Sequence, residues 1–275
     1  MVARLVLVFT LMFCVSVFAG ERGGDPEGRQ ESLSWEFTFE YGTEDWTGDF
    51  TDLPVDYEQD MYQLEFAHAD TPEDLGVPGK ALMLSSINRS DDVFMYVNRH
   101  LGPGDGILPN ARYEARFMVE FATNAPPGAF GVGGPPGEAV WVKVGAAPEE
   151  PVPVVIDLAG TPFYTLSVDK GWQNDDGEHA IRIGDVAKEQ GPDDDFSYAL
   201  KTLDNLDRPL EVDSDEDGNL WIFVGTDSGF EGKTTLYYTN IAVTLEPIEA
   251  PTGPPTESPT AVQTDSWGAI KSTIR

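Results

Sequence analysis

An all-β chain folded as two packed antiparallel sheets is what this sequence predicts. Apolar side chains recur at every second position through most of residues 33–246, helical periodicity is nearly absent there, and 28 glycines and 21 prolines punctuate the 275 residues. Period two is the spacing of a strand with one buried face, and Gly and Pro are turn formers that helix interiors exclude. The runs and their separators lead to roughly ten to thirteen strands, whose apolar faces two stacked sheets would bury.

The elements follow in order. Trp35, Phe37 and Phe39 alternate with Glu36, Thr38 and Glu40. Leu82 and Leu84 alternate with Met83 and Ser85, and Val93 to Val97 (VFMYV) is a continuous apolar run, the pattern of a strand covered on both faces. From Arg112 to Ala122, the side chains of Tyr113, Ala115, Phe117, Val119 and Phe121 share one face, opposite Arg112, Glu114, Arg116, Met118 and Glu120. Val140, Val142 and Val144 alternate with Trp141 and Lys143; Leu220 to Val224 (LWIFV) and Thr234 to Leu245 complete the set. Turn clusters such as Pro103-Gly104-Asp105-Gly106 and Asp217-Gly218 separate the runs. Only Gly184 to Gln190 (GDVAKEQ) has room for a helical turn or two.

The flanks read differently. Residues 1–19 have the form of a cleaved secretory signal: a basic start at Arg4, the apolar run Leu5 to Phe18, and the small residues Val17 and Ala19 before the cut. Cleavage removes Cys14, the one cysteine, so the exported chain relies on no disulfide or thiolate metal site and keeps no membrane-spanning segment. The expected location is secreted, periplasmic or at the cell surface. Residues 20–32 read as a polar, Gly-rich tether, 33–246 as one sandwich domain, 247–264 as a Pro/Thr-rich linker and 265–275 as a short tail with Trp267, Ile270 and Ile274 at helical spacing. The chain carries 48 acids against 17 bases, a formal charge of −31. Such a balance excludes nucleic acid, which it would repel, and suits solubility or divalent cations.

Two phrases carry a family likeness. Leu108-Pro109-Asn110-Ala111-Arg112-Tyr113, leading into a long alternating strand, resembles the strand entry of jelly-roll carbohydrate-binding modules and galactose-binding-like domains. Asp217 to Val243 resembles the closing strands of the same sandwiches, and the whole of 33–246 is similar to uncharacterised exported bacterial proteins of that group. The resemblance implies a jelly-roll-like antiparallel sandwich and makes glycan the expected ligand class. It transfers no binding residue.

Three segments are candidates for chemistry. Asp169 to His179 (DKGWQNDDGEH) sets Trp172 among Gln173, Asn174 and Asp175 in a loop too polar to bury an indole, and a flat aromatic beside amides and carboxylates is what a sugar ring needs. Asp227 and Glu231, after the LWIFV strand, are expected to line a rim with them. Asp213-x-Asp215-x-Asp217-Gly218 has the opening of a calcium loop, although Val224 replaces the acid at position twelve; Asp-Gly between apolar runs is equally a hairpin signal. Calcium at Asp213, Asp215 and Asp217 and a plain acidic hairpin both stand. Finally, Glu211, Asp213 and Glu216 fit the E-x-D-x-x-E spacing of laminarinase-like glycoside hydrolases, where carboxylates line one face of a strand. The glycine-rich Ala129 to Ala139 leads into a strand, so no helix start is available for phosphate. His68, His100 and His179 lack metal-ligand spacing. The leading expectation is a secreted, non-catalytic glycan-binding module. The alternatives are a structural or cell-surface component stabilised by divalent cation, and a hydrolase using Glu211, Asp213 and Glu216.

Overall fold

The computed structural model describes residues 31–90 and 92–248. The expected leader, most of the tether, and the linker and tail from residue 249 onward lie outside the described residues. Fifteen strands run through them, more than the ten to thirteen expected. The first six are β1 (Leu33–Phe37), β2 (Thr47–Thr51), β3 (Leu53–Pro54), β4 (Glu65–Asp70), β5 (Lys80–Ile87) and β6 (Phe94–Leu101). Then come β7 (Arg112–Thr123), β8 (Val140–Ala147), β9 (Pro153–Leu158), β10 (Thr161–Leu166) and β11 (Ala180–Asp185). The last are β12 (Ala199–Asp204), β13 (Leu210–Asp213), β14 (Leu220–Ser228) and β15 (Lys233–Pro247). One α-helical turn, α1 (Gln59–Tyr62), lies between β3 and β4. The helical turn expected at Gly184 to Gln190 does not form: Gly184 and Asp185 finish β11, and the rest is a loop held by Lys188, whose Nζ donates to the Asp195 and Ser197 carbonyls. No helix among the described residues is long and apolar enough to cross a membrane.

The strands form three antiparallel sheets. A seven-stranded sheet runs β12-β7-β15-β5-β4, with β1 on β15 and β13 on β7; a five-stranded sheet runs β11-β8-β14-β6-β2; and β3-β10-β9 make a small third sheet. Between the two large sheets lies the main core. Phe117, Val119 and Phe121 of β7 and Ile241 and Val243 of β15 face Val142 and Val144 of β8, Val97 of β6, and Ile222 and Val224 of β14. The alternation on β7 and β8 thus does what period two predicts, and each such side chain contributes about 1.5–3 kcal/mol by leaving water.

The five-stranded sheet is also covered on its other side. Phe94, Tyr96 and Phe223, on its outer face, pack with Leu166, Val168 and Ala180 into a second core. The cover is the small third sheet and the segment that follows β10. The apolar run VFMYV is therefore buried on both faces, as its unbroken hydrophobicity predicts. Phe94 and Tyr96 stack with centroids 5.4 Å apart, and the Tyr96 hydroxyl donates to the Pro151 carbonyl at 3.0 Å, fastening the start of the cover to the sheet. Gly145 of β8 is required here, because a Cβ on it would stand 2.1 Å from the Phe223 ring. At the far edge of the cover, β9 pairs, among the described residues, only with β10 and leaves Val155, Ile156 and Leu158 exposed.

Candidate functional site

The outer face of the five-stranded sheet has two different ends. Trp221 and Asp227 lie on the same face of β14, six residues and hence about 20 Å apart. Around Asp227 the sheet is sealed; around Trp221 it is open.

At the sealed end, five charged side chains meet out of water. Asp227 and Lys143 are 0% exposed, and Lys170, Asp52 and Asp92 are nearly so. Lys170 Nζ lies 2.7 Å from Asp227 Oδ2 and 2.7 Å from Asp52 Oδ2, and Lys143 Nζ lies 3.1 Å from Asp227 Oδ2. Lys143 also donates to the carbonyls of Lys170 and Asp175, at 2.8 and 3.0 Å. Burial alone would neutralise these groups. It works against Lys170 too, but the carboxylates of Asp227, Asp52 and Asp92 outweigh it and hold the ammonium charged. Burial likewise opposes the Asp227 carboxylate, which Lys170 nonetheless keeps below its ordinary value. For Asp92 the balance goes the other way: burial, then a hydrogen bond to Asp227, push its carboxyl up to about 10, and Lys170 opposes this only in part.

Asp227, expected on a solvent-facing rim, is thus an interior anchor. Its neighbours in that expectation divide. Trp172 is 53% exposed, so its indole does face water. Gln173, with φ of 44°, sets its Nε2 3.6 Å from where a Cβ on Gly229 would stand, which brings the Trp172 loop against the turn that carries Glu231. Asn174 Oδ1 is taken by Arg182 Nη1 at 2.5 Å, and the Asp175 backbone by Lys143. The loop itself is a tied knuckle: Asp169 accepts from Gly171 N at 2.9 Å and Glu178 N at 3.0 Å, and His179 N donates to the Asp169 carbonyl. Gly171 has φ of +71° and presses on Gly177, leaving no space for a Cβ at either.

At the open end, Asp45, Thr47, Arg99, His100, Asp105, Glu150 and Trp221 line a cleft of about 420 Å³. Trp221 and His100 face each other across the β14–β6 ladder, ring centroids 5.0 Å apart. His100 Nε2 is 2.9 Å from Asn219 Oδ1, and Asn219 donates from its backbone and side chain to the Asp215 carboxylate at 2.6 and 2.8 Å. Arg99 is held back from the opening by the Glu44 carbonyl at 3.0 Å and lies over the Phe37 ring. The arrangement is an aromatic wall with carboxylates around it. Sequence reasoning passed it by, reading Trp221 only as part of the LWIFV strand and His100 only as a histidine without metal-ligand spacing.

The acidic turn after β13 serves this cleft. It is not a hairpin, because β13 belongs to the seven-stranded sheet and β14 to the five-stranded one, so the turn crosses between layers. Asp215 Oδ1 accepts from Asp217 N at 2.9 Å as well as from Asn219, which holds its carboxyl below the usual range. Asp213 pairs with Arg112 at 3.8 Å, across the β13–β7 ladder. Asp215 thus spends its oxygens on the turn's own N–H groups and the Asn219 amide, and Asp213 faces an arginine. Among the described residues, the acidic trio whose oxygens come within 4.8 Å of one another is Asp52, Asp92 and Asp227. Of the hydrolase candidates, Glu211 and Asp213 share one face of β13, with Glu211 2.8 Å from Arg112, while Glu216 lies past the strand in the turn. The single strand face that the E-x-D-x-x-E pattern calls for is not formed.

No protein-family profile matches the chain, and no curated protein matches it in sequence. Solved structures do. One is described in a study of carbohydrate-binding modules from the β-sandwich superfamily: 15% identity, TM-score 0.33, covering 78% of this chain and 61% of that one, so this chain spans less than two thirds of its length. The C-terminal family 22 carbohydrate-binding module of Clostridium thermocellum Xyn10B matches at 14% identity and TM-score 0.33, covering 81% of this chain and 98% of that one. An adhesin domain of Lys-gingipain from Porphyromonas gingivalis matches at 12% identity and TM-score 0.34, with 77% and 97% covered. Likenesses of this size carry no argument, and the sandwich rests on the strand pairing itself.

Proposed function

We propose that the chain is a secreted, non-catalytic glycan-binding module whose contact surface is the cleft at Trp221. The observation that carries this reading is the pairing of Trp221 with His100 inside a polar cleft ringed by Asp45, Asp105 and Glu150. A pyranose has apolar C–H faces and a rim of hydroxyls. The indole supplies a surface for the first and the carboxylates accept from the second. The half-exposed Trp172, with Gln173 and Glu231 nearby, is a second contact of the same chemical kind at the other end of the sheet.

Affinity electrophoresis against a panel of soluble polysaccharides, preceded by a glycan array, tests the reading. Wild type is expected to be retarded by at least one polysaccharide without releasing reducing ends. Trp221→Ala is expected to weaken that binding about tenfold or more, the equivalent of about 1.4 kcal/mol. A blank array removes the proposal; loss of binding in Trp172→Ala with Trp221→Ala unaffected moves the site to the loop.

A further inference from the structure

The sealed end holds three carboxyl groups against two ammoniums, and the third, Asp92, leaves the charges balanced only while it keeps a proton. Asp92 is 1% exposed, yet neither of its oxygens has a hydrogen-bond donor among the described residues; Asp227 Oδ1 has none either. What faces Asp92 is Asp227, another acceptor. Both ammoniums approach Asp227 through the other oxygen, Oδ2, and Lys170 completes its contacts on Asp52. Two buried carboxyl groups in contact must hold either a proton between them or a cation, since two bare carboxylates there would cost several kcal/mol.

The backbone forces this encounter. Ser90 Oγ lies 2.7 Å from the Asp92 carbonyl and 3.2 Å from that of Asp52, and its N–H donates to Asn88 Oδ1 at 3.0 Å. Asn88 Nδ2 in turn donates to the Ser228 carbonyl at 2.6 Å, next to Asp227. One loop therefore clamps Asp52, Asp92 and Asp227 together although they come from three separate stretches of chain.

We propose that Asp52, Asp92 and Asp227 form a buried site for one small hard metal cation, which takes the place of the proton on Asp92. Carboxylate oxygens are the ligands such ions take, and three of them within 4.8 Å of one another make a convergent set. Sodium would replace the one charge that this proton supplies; calcium offers the same hard-ion chemistry with one charge more. The site is separate from the acidic turn at Asp213, Asp215 and Asp217, and it stands whether or not glycan binds at Trp221. Its role is to fasten the cover to the sheet, since Asp52 precedes β3 and Lys170 follows β10.

The test is thermal unfolding of the full chain at neutral pH after treatment with chelator, in tetramethylammonium chloride, sodium chloride or calcium chloride at matched ionic strength. Sodium or calcium is expected to raise the midpoint by about 5 °C at a hundredfold excess over Kd. Asp92→Asn is expected to lose the response, and Asp215→Asn to keep it. A wild-type midpoint indifferent to both metals overturns the proposal and leaves a shared proton between Asp92 and Asp227; that result needs no variant. A response that persists in Asp92→Asn and disappears in Asp215→Asn also overturns it, placing the metal in the turn.

Discussion

The two ends of β14 are built from the same strand and lie on the same face of the same sheet, yet one is closed to water and the other is a cleft. The difference comes from what lies on top. Over Asp227 the chain returns twice, once with Asp52 and once with Lys170, and both bring charge that must be matched inside. Over Trp221 the cover stops near Pro151, where Tyr96 fastens it, and Glu150 is left at the cleft wall. A strand's alternation decides which side chains share a face; it does not decide whether that face meets water.

The comparison breaks most visibly at the sealed end. Asp227→Ala leaves Lys143 and Lys170 buried without their shared partner, and denaturant unfolding is expected to show a loss of about 3–5 kcal/mol. Gly145→Val comes next: the new side chain has no room against Phe223, and the expected loss is about 1–3 kcal/mol by the same measurement. At the open end the effects fall on binding instead. His100→Ala removes the ring that faces Trp221 and is expected to weaken glycan retardation by severalfold while moving the unfolding midpoint little, since His100 is exposed.

The smallest effect sharpens the contrast by pH. The Asp169 carboxyl is held below its ordinary value of 3.8 by the N–H groups of Gly171 and Glu178. Burial raises Asp176, but the Arg182 N–H and Arg208 outweigh it and the net direction is also down. A carboxyl depressed in the folded state stabilises above its unfolded value, and that contribution is lost as pH falls through the folded one. The Trp172 loop is therefore expected to loosen below about pH 4, read as a change in the indole fluorescence that Trp172→Phe abolishes.

What the sequence made legible follows from how local each signal is. The run VFMYV announced a strand covered twice because every side chain in it is apolar. The run VWVKV did not, because a lysine opposite valines reads as solvent-facing, and the groups that neutralise Lys143 come from distant stretches of chain. The turn at Asp215 to Gly218 was recognisable as a turn, but its chemistry is the same whether the next strand stays in the sheet or crosses to the other. Trp172 was found because its neighbours in sequence are polar. Trp221 was missed because its neighbours in sequence are apolar and its polar surroundings, Asp45, Asp105 and Glu150, are neighbours only in space.

The unpaired edge of β9 has its own consequence in solution. It offers a row of free backbone donors and acceptors flanked by Val155, Ile156 and Leu158, the template on which a second molecule could add a strand. Mutual repulsion between molecules of charge −31 keeps such edges apart at low ionic strength, and Asp157, between Ile156 and Leu158, adds a charge whose desolvation opposes pairing. Concentrated salt screens the first defence but not the second, so shelf life in brine would turn on a single aspartate.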